Sequence, residues 1–317
     1  MIQNLLFSLN VSLPLFVIMG LGQVLTKKGL FTGDYISRTT KLVYYVLLPA
    51  KLFMDISSTD LSTAFSPRYF AVVAVGLVLQ FLVAWSCGDL LCRDRSKQGA
   101  FSHACFRGNF VYLGMALLQD IYGGSVPETA LILAVVMPLY NVQGIILLSV
   151  KEKRGKIDLR SVLLDILKNP MILALLAGLP VAILQIHLPY VVTKSLSYLQ
   201  VATSTLALLV VGANIRPAAI RSDFPLLLKI SAVKLLLMPL IWGVMSVLAG
   251  LTPAQTVVLT IVGAMPSTIN VFVITDRMGG DGALACGAVV VTHVLSLFTM
   301  TGIVFLFSFR PRFPGWT

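Results

Sequence analysis

Long apolar stretches follow one another along almost the whole chain, with only short loops between them. Each of ten stretches has about the 20 residues that an α-helix needs to cross a bilayer. The chain is 57% hydrophobic and only 12% charged, whereas a soluble domain carries about 25% charged residues. The pattern predicts an all-α polytopic membrane protein. The predicted spans are 4–24, 36–56, 68–90, 99–121, 128–150, 163–186, 190–213, 225–249, 254–276 and 283–308.

Basic residues are concentrated in every second loop. If the N-terminus lies outside, the inward loops hold thirteen Lys and Arg residues, and the outward loops and the C-terminal tail hold three. Cytoplasmic loops carry an excess of Lys and Arg, so we expect a multi-pass protein of the cell (inner) membrane with both termini non-cytoplasmic. The inward residues are Lys27, Lys28, Arg93, Arg95, Lys97, Lys151, Lys153, Arg154, Lys156, Arg160, Arg216, Arg221 and Arg277, and the outward ones are Arg68, Arg310 and Arg312.

Several classes of function are disfavoured by the sequence. The net charge of +11 does not indicate a nucleic-acid partner, because the basic residues lie in short loops between apolar spans. The four cysteines have no paired spacing and the three histidines are scattered, so neither a disulfide framework nor a metal site is expected. The sequence contains no nucleotide-binding loop and no G-x-S-x-G motif. We therefore expect no cofactor, no ATP-driven pumping and no enzymatic activity.

The basic loop 151–162 divides the predicted spans into five and five. We expect a first five-helix repeat over 1–150, a cytoplasmic linker over 151–162, and a second repeat over 163–317. Because the number of spans per half is odd, the second half enters the membrane upside down relative to the first. Asp-x-x-Gly-Gly occurs once in each half, beginning at Asp120 and at Asp276. Inverted repeats place a substrate site near the bilayer midplane, where interrupted helices meet.

Polar residues interrupt the fourth span near its middle. Arg107 lies about 13 Å deep at 1.5 Å per residue, where a charge is costly and usually faces a cavity or a partner. Two interpretations stay open for Arg107, a counter-charge for an anionic substrate or a structural pair with a carboxylate or with helix-end carbonyls. Asn109, beside Gly108, offers both a donor and an acceptor. We favour a place for Asn109 in a cavity over a tie between helices.

Pro266 interrupts the ninth span and is followed by Ser267, Thr268 and Asn270. A half-helix that begins after Pro266 would direct free N–H groups and a positive dipole end at a carboxylate. The alternative is a proline kink whose freed carbonyl is bonded by hydroxyl groups. Because Asn109 lies in the matching helix of the other half, we favour the substrate site.

Four further polar residues lie inside apolar spans, namely Lys234, Asn141, Gln143 and His293. Lys234 could help to bind an anion, change its protonation during a cycle, or pair with a carboxylate, which we rank first. Asn141 and Gln143 could contact the substrate or bond to the broken fourth helix. His293 is a candidate proton carrier by its reference pKa, and a histidine that is only hydrogen-bonded in place is the commoner alternative.

Seven short sequence blocks occur in an order and spacing typical of one family. They are KLVYYVLLPAKLF (41–53), FRGNFVYLG (106–114), MPLYNVQGI (137–145), KNPMILALLAGL (168–179), ALLVVGANI (207–215), VKLLLMPL (233–240) and MPSTINVFVIT (265–275). Together they resemble the auxin efflux carrier family, the bacterial relatives of the plant PIN carriers. The resemblance covers essentially the whole chain. It implies ten transmembrane helices in two inverted five-helix repeats, with interrupted helices 4 and 9 crossing at the substrate site, as in PIN and bile-acid transporters.

The resemblance also implies a secondary carrier of small organic anions, such as malate, malonate or auxin-like acids. It implies elevator-type alternating access, in which a transport domain moves against a scaffold formed by the first two helices of each repeat. One departure concerns the fourth helix, where the family often has a proline and residues 113–116 have none. Either glycines supply the break, or the helix is more continuous than in the family.

The expected substrate-binding residues are Arg107, Asn109, Asn141, Gln143, Lys234, Pro266, Ser267, Thr268 and Asn270, with His293 as the candidate for proton coupling. Coupling to protons or to sodium and assembly as a homodimer are left open. Two other functions are kept as alternatives. One is a sensor or receptor with a transporter-like core that binds a ligand without moving it, and the less favoured one is an intramembrane enzyme.

Overall fold

The computed structural model describes residues 2–58, 66–122, 128–152 and 167–308. Each predicted span corresponds to helical structure in these residues, and no strand occurs among them apart from one isolated bridge. The main helices are α1 (Ile2–Lys27), α2 (33–57), α3 (Pro67–Leu91), α4a (Gln98–Phe106), α4b (110–122), α5 (128–151), α6 (Pro170–Ile183), α7 (Tyr190–Ala213), α8 (Phe224–Leu248), α9a (Pro253–Ala264), α9b (Ile269–Arg277) and α10 (Gly282–Ser308). A short helix, Pro217–Ser222, lies between α7 and α8.

Four of the described helices are long and apolar enough to cross a membrane, judged by length and composition. They are Pro67–Leu91, Tyr190–Ala213, Phe224–Leu248 and Gly282–Phe307. Leu13–Lys27, Pro170–Ile183 and Pro253–Ala264 are shorter apolar helices. The helix α6 is shorter than its predicted span, and residues 163–166 of that span lie outside the described residues.

Prolines inside the spans have different structural consequences. The segments Val43–Leu47, Ile132–Val136 and Val233–Leu237 are π-helical turns, and each ends two residues before a proline. A proline has no N–H and its ring clashes with the carbonyl four residues earlier. A local change to the i→i+5 pattern accommodates both effects within a continuous helix. These helices therefore continue past the proline, whereas the helix containing Pro266 is broken.

Two helices are interrupted. Between α4a and α4b, Arg107 is extended, with φ −84° and ψ 105°. Between α9a and α9b, Met265 and Thr268 are extended in the same way. The fourth helix is thus broken although it has no proline in its crossover, and Gly108 lies at the centre of the break.

The helices pack in two groups. The first contains α1, α2, α6 and α7, and the second contains α3, α4, α5, α8, α9 and α10. The groups meet where α1 contacts α10, where α7 and α2 contact α9b, and where α2 and α6 contact α5. In the Asp-x-x-Gly-Gly motif of the second half, Gly279 has a positive φ of 86° just after α9b. The matching glycines of the first half, Gly123 and Gly124, lie outside the described residues.

The contact between α1 and α7 depends on glycine. A Cβ atom at Gly22 would overlap the carbonyl oxygen of Leu209, and one at Gly212 would overlap the backbone of Met19. Small residues let helix backbones approach closely in a membrane, where helices associate by packing. The first helix group is therefore held at a spacing that no larger residue allows.

We expect Gly22→Ala to destabilise the protein by about 1–3 kcal/mol, because the added methyl group forces α1 away from α7. The matched control is Gly20→Ala, one half-turn away in α1, where a Cβ would meet nothing within 4 Å. That control should unfold at an unchanged or higher temperature. Thermal unfolding of the purified variants in detergent measures both. Equal midpoints for the two variants would contradict the packing described for α1 and α7.

Candidate functional site

The two helix breaks lie against each other. The backbone N–H of Asn109 donates to the carbonyl oxygen of Pro266 at 2.8 Å, and that of Thr268 donates to the carbonyl oxygen of Arg107 at 3.2 Å. These bonds form a single antiparallel bridge between Gly108 and Ser267. Non-helical backbone at membrane depth must be bonded inside the protein. Each break therefore supplies the hydrogen-bond partners that the other has lost.

We call the place where the two helix breaks meet the crossing. Ser267 bonds the crossing to the helices around it. Its hydroxyl donates to the carbonyl oxygen of Ala104 in α4a at 2.7 Å, and its backbone N–H donates to the hydroxyl of Thr292 in α10 at 3.0 Å. The side chain is fully buried, and Ser267 does not line the cavity beside the crossing. The structure thus places Ser267 in a bracing position. Pro266 contributes through its backbone carbonyl.

A cavity of about 50 Å³ adjoins the crossing. It lies between the two helix groups, because α2 and α6 form one side, and the broken α4, α5 and the start of α9b form the other. The volume is enough for one or two water molecules, each of which occupies about 30 Å³ in the liquid. The lining residues are Leu48, Lys51, Leu52, Asp55, Arg107, Gly108, Asn109, Phe110, Tyr140, Asn141, Met171, Thr268 and Asn270.

Arg107 brings a buried positive charge to this cavity. Only 4% of the residue is exposed. Its Nη2 donates to Oδ1 of Asn141 at 2.5 Å, whereas the buried Nη1 has no hydrogen-bond partner among the described residues. No ion pair of Arg107 with a carboxylate occurs in that part of the chain either. A buried donor without a partner is costly, and a ligand with acceptor oxygens would supply what Nη1 lacks.

Asn109 connects the cavity to α10. Its Nδ2 lies 3.2 Å from Nε2 of His293, whose Nδ1 lies 2.7 Å from the carbonyl oxygen of Val289. A carbonyl oxygen only accepts, so Nδ1 carries the ring proton and Nε2 is the acceptor of the neutral imidazole. Asn109 therefore donates to His293. Both side chains are almost completely buried.

The pair Lys51 and Asp55 was missed by the sequence-based reasoning. Lys51 Nζ lies 2.9 Å from Asp55 Oδ2 one helical turn later in α2, and Gln200 of α7 donates to Asp55 Oδ1 at 2.6 Å. A lysine and an aspartate within an otherwise apolar span were the available signal, since ionisable residues inside membrane spans commonly mark substrate pathways. The aromatic and apolar lining residues Tyr140 and Met171 carried no such signal.

Besides Pro266 and Ser267, three of the expected site residues do not line the cavity. Gln143 donates to the carbonyl oxygen of Leu77 in α3 at 2.9 Å and does not line the cavity. Lys234 lies behind the crossing, where it donates to backbone carbonyls of α4a and α9a. His293 reaches the cavity only through Asn109. The structure thus brings together Arg107, Asn109, Asn141, Thr268 and Asn270 at the cavity.

The electrostatics of the cavity favour an anion. The half-helices α4b and α9b both begin at its wall, and each N-terminus carries unpaired N–H groups and about half a positive charge. Arg107 and Lys51 add two positive charges, and Asp55 adds one negative charge. A site with this balance suits a group with several acceptor oxygens, such as a carboxylate.

The chain is similar to known transporters over most of its length. The model of a family described as "Membrane transport protein" matches residues 8–159 and 151–304. The chain is 24% identical over 282 residues to "Uncharacterized transporter YfdV" of Escherichia coli (strain K12), covering 86% of this chain and 89% of that protein. It is 24% identical over 306 residues to "Putative malonate transporter" of Rhizobium meliloti (strain 1021), covering 93% and 94%. It is 22% identical over 280 residues to "Uncharacterized transporter MJ1031" of Methanocaldococcus jannaschii, covering 86% and 90%.

Proposed function

The chain belongs to the membrane transport protein family of auxin efflux carriers, and from that premise we propose that it is a secondary carrier of small organic anions. The proposed substrates are mono- or dicarboxylates such as malate, malonate or auxin-like acids. The relative from Rhizobium meliloti is named "Putative malonate transporter". Malonate is therefore the first compound to test.

One observation carries the proposal: the buried Arg107 Nη1 has no hydrogen-bond partner among the described residues and lies at a cavity on which two half-helix N-termini converge. An organic anion bound there would accept from Arg107 and from the backbone N–H groups at the starts of α4b and α9b. The side chains of Asn109, Asn141, Thr268 and Asn270 surround the same space. Charge-assisted bonds of this kind are about twice as strong as neutral ones.

The proposed cycle is elevator-type alternating access in a chain of two inverted five-helix repeats, 1–150 and 163–317. In this cycle a transport domain moves against a scaffold formed by the first two helices of each repeat. The cavity supports this through its position and its size. It lies between the two helix groups, and about 50 Å³ is too small for an organic anion, since ligand sites commonly measure about 300–1,000 Å³. A substrate can therefore enter only after Lys51, Asp55 and Met171 on one side have separated from the crossing on the other.

His293 is the proposed site of proton coupling. In the neutral state Asn109 must direct its amide nitrogen at His293 Nε2. A protonated His293 would donate from Nε2 instead, so the Asn109 amide would have to rotate and present its oxygen to the ring. The amide nitrogen would then face away from the ring as a donor for a carboxylate. A proton on His293 and an anion beside Asn109 would thus favour each other.

The test combines binding with transport. Thermal unfolding of the purified full chain with a panel of organic acids identifies ligands, and proteoliposomes loaded or bathed with the radiolabelled ligand measure its movement. We expect a carboxylate to raise the unfolding midpoint and to cross the membrane. A ligand that binds but does not cross would favour the sensor, and conversion of the ligand to a product would favour the enzyme.

The proposed orientation places both termini outside the cytoplasm and loop 151–162 inside. Most of this loop lies outside the described residues, but Lys97 and Asp223, which form an ion pair at 2.5 Å, belong to two loops of the same predicted side. A single cysteine introduced at Arg154 in a cysteine-free background should react with a membrane-impermeant maleimide only after the cells are broken. A cysteine at Ser66 should react in intact cells. Reaction at position 154 in intact cells would reverse the orientation.

A further inference from the structure

Lys234 lies at the back of the crossing, on the side away from the cavity. It is fully buried. Its Nζ donates to the carbonyl oxygen of Gly263 at 2.8 Å and to that of Phe106 at 3.4 Å. Gly263 is next to the last residue of α9a, and Phe106 is the last residue of α4a. The ammonium group therefore lies where the C-termini of both half-helices converge.

No carboxylate of the described residues pairs with the Lys234 ammonium group. In the residues that the structure describes, the ion pairs involve other lysines and arginines, and Lys234 takes part in none of them. A helix C-terminus carries about half a negative charge and carbonyls without intrahelical partners. Two such ends together therefore offer about one negative charge, which matches the single positive charge of Lys234.

The surroundings leave room for the ammonium group. A Cβ atom at Gly108 would lie 3.2 Å from Lys234 Nζ, so a larger residue at the break would press on it. Lys234 itself lies in the π-helical turn Val233–Leu237 that precedes Pro239. Such turns are frequent at functional sites. The position of the ammonium group thus depends on a glycine in one repeat and a proline-induced turn in the other.

We propose that the Lys234 ammonium group is a built-in counter-ion that takes the place of a bound sodium ion at the crossing. In transporters with discontinuous helices, the C-terminal ends of half-helices commonly coordinate the coupling cation. Here the same two ends are occupied by a side chain of the protein. The crossing is therefore held together without sodium. Sodium-independent binding of the organic anion follows as well, and this second statement rests on the proposed function.

Thermal unfolding of the full chain in detergent tests the counter-ion without a substrate. The midpoint of the wild-type protein should be the same in NaCl and in choline chloride at equal ionic strength. Lys234→Ala should lower it by about 5 °C or more, since a loss of about 2 kcal/mol shifts the midpoint of a protein of this size by several degrees. Lys229→Ala is the matched control, because Lys229 lies in the same helix and its exposed Nζ bonds the carbonyl oxygen of Leu91.

Chemical rescue separates charge from packing. Propylammonium has the same four heavy atoms that Lys234→Ala removes, and 1-propanol has the same size without the charge. We expect propylammonium, and to a smaller extent sodium, to restore the midpoint of Lys234→Ala, and 1-propanol to leave it unchanged. Equal rescue by 1-propanol, or no rescue by any of them, would overturn the proposal. A wild-type midpoint that rises with sodium in a saturable way would overturn it even if Lys234→Ala does not accumulate.

A second experiment measures the binding of malonate, and this experiment rests on the proposed function. Its affinity for the wild-type protein should be equal within twofold in NaCl and in choline chloride, and an increase of tenfold or more in NaCl would overturn sodium independence. If neither malonate nor another organic acid binds, the proposed function fails. The midpoints of the wild-type and Lys234→Ala proteins then still decide whether Lys234 is the counter-ion.

Discussion

Arg107→Met is expected to abolish binding and transport of the organic anion while leaving the protein at least as stable as the wild type. The two effects have one cause. Arg107 is buried, and in the part of the chain that the structure describes one of its guanidinium nitrogens has no hydrogen-bond partner. Removing one partner of a buried charge contact costs about 2–5 kcal/mol of binding, which corresponds to at least a 30-fold loss of affinity. Replacing a buried charge by an apolar residue of similar length is often neutral or stabilising by about 1–4 kcal/mol.

The opposite pattern identifies a structural arginine. If Arg107 only tied α4 to Asn141 of α5, its loss would lower the unfolding midpoint and leave the affinity of the remaining folded protein intact. Arg107→Lys keeps the charge without the planar fork, and we expect about a tenfold loss of affinity, equivalent to about 1.4 kcal/mol. Arg38→Gln is the control, because this exposed arginine pairs only with Asp34 at the start of α2. Isothermal titration and thermal unfolding separate the two patterns.

The position of the site along the chain could be predicted from the sequence because hydropathy and loop charge are local properties. A charged residue in the middle of an apolar span is visible in the sequence, and so is a proline followed by small polar residues. Arg107 and the segment 266–270 were therefore singled out, and the structure has a helix break at both positions. Whether a given proline breaks its helix was harder to predict from the sequence. Pro49, Pro138 and Pro239 follow π-helical turns in continuous helices, whereas the helix with Pro266 is broken.

The direction of the side chains could not be predicted in the same way. Asn141 and Gln143 are two residues apart, which places them about 200° apart around a helix of 3.6 residues per turn. Only Asn141 can therefore reach Arg107, and Gln143 bonds Leu77 instead. Choosing between them from the sequence requires the phase of the helix. The π-helical turn Ile132–Val136 changes that phase just before both residues.

Lys234 illustrates a second limit. The sequence suggested a carboxylate, an anion or a change of protonation for its charge. Its partners are instead the carbonyl oxygens of Phe106 and Gly263. A backbone carbonyl becomes such a partner only because a helix ends there, and residue type does not encode that.

Asn109→Ala is expected to lower the affinity for the organic anion about 10- to 100-fold. The two helix breaks should remain bonded to each other. The backbone N–H of Asn109 donates to Pro266 in either protein, because this bond does not involve the side chain. A hydrogen bond to a charged group contributes about 1.5–3 kcal/mol, which sets the expected loss. The unfilled acceptor on the buried His293 Nε2 lowers the unfolding midpoint by only a few degrees. Near-normal transport would remove Asn109 from the site.

Two matched variants make the Asn109 result specific. Asn109→Asp has the same shape, but its carboxylate repels an anion and cannot donate to the neutral His293, so we expect it to transport no better than Asn109→Ala. Asn169→Ala removes an asparagine that caps α6 and donates to the hydroxyl of Tyr44 at 2.8 Å. The loss of a cap costs about 1 kcal/mol of stability, so this variant should unfold earlier and yet bind the anion normally. If Asn109→Ala behaved as Asn169→Ala does, Asn109 would be a tie between helices, and the cavity would have to bind its anion through Arg107 and the half-helix N-termini alone.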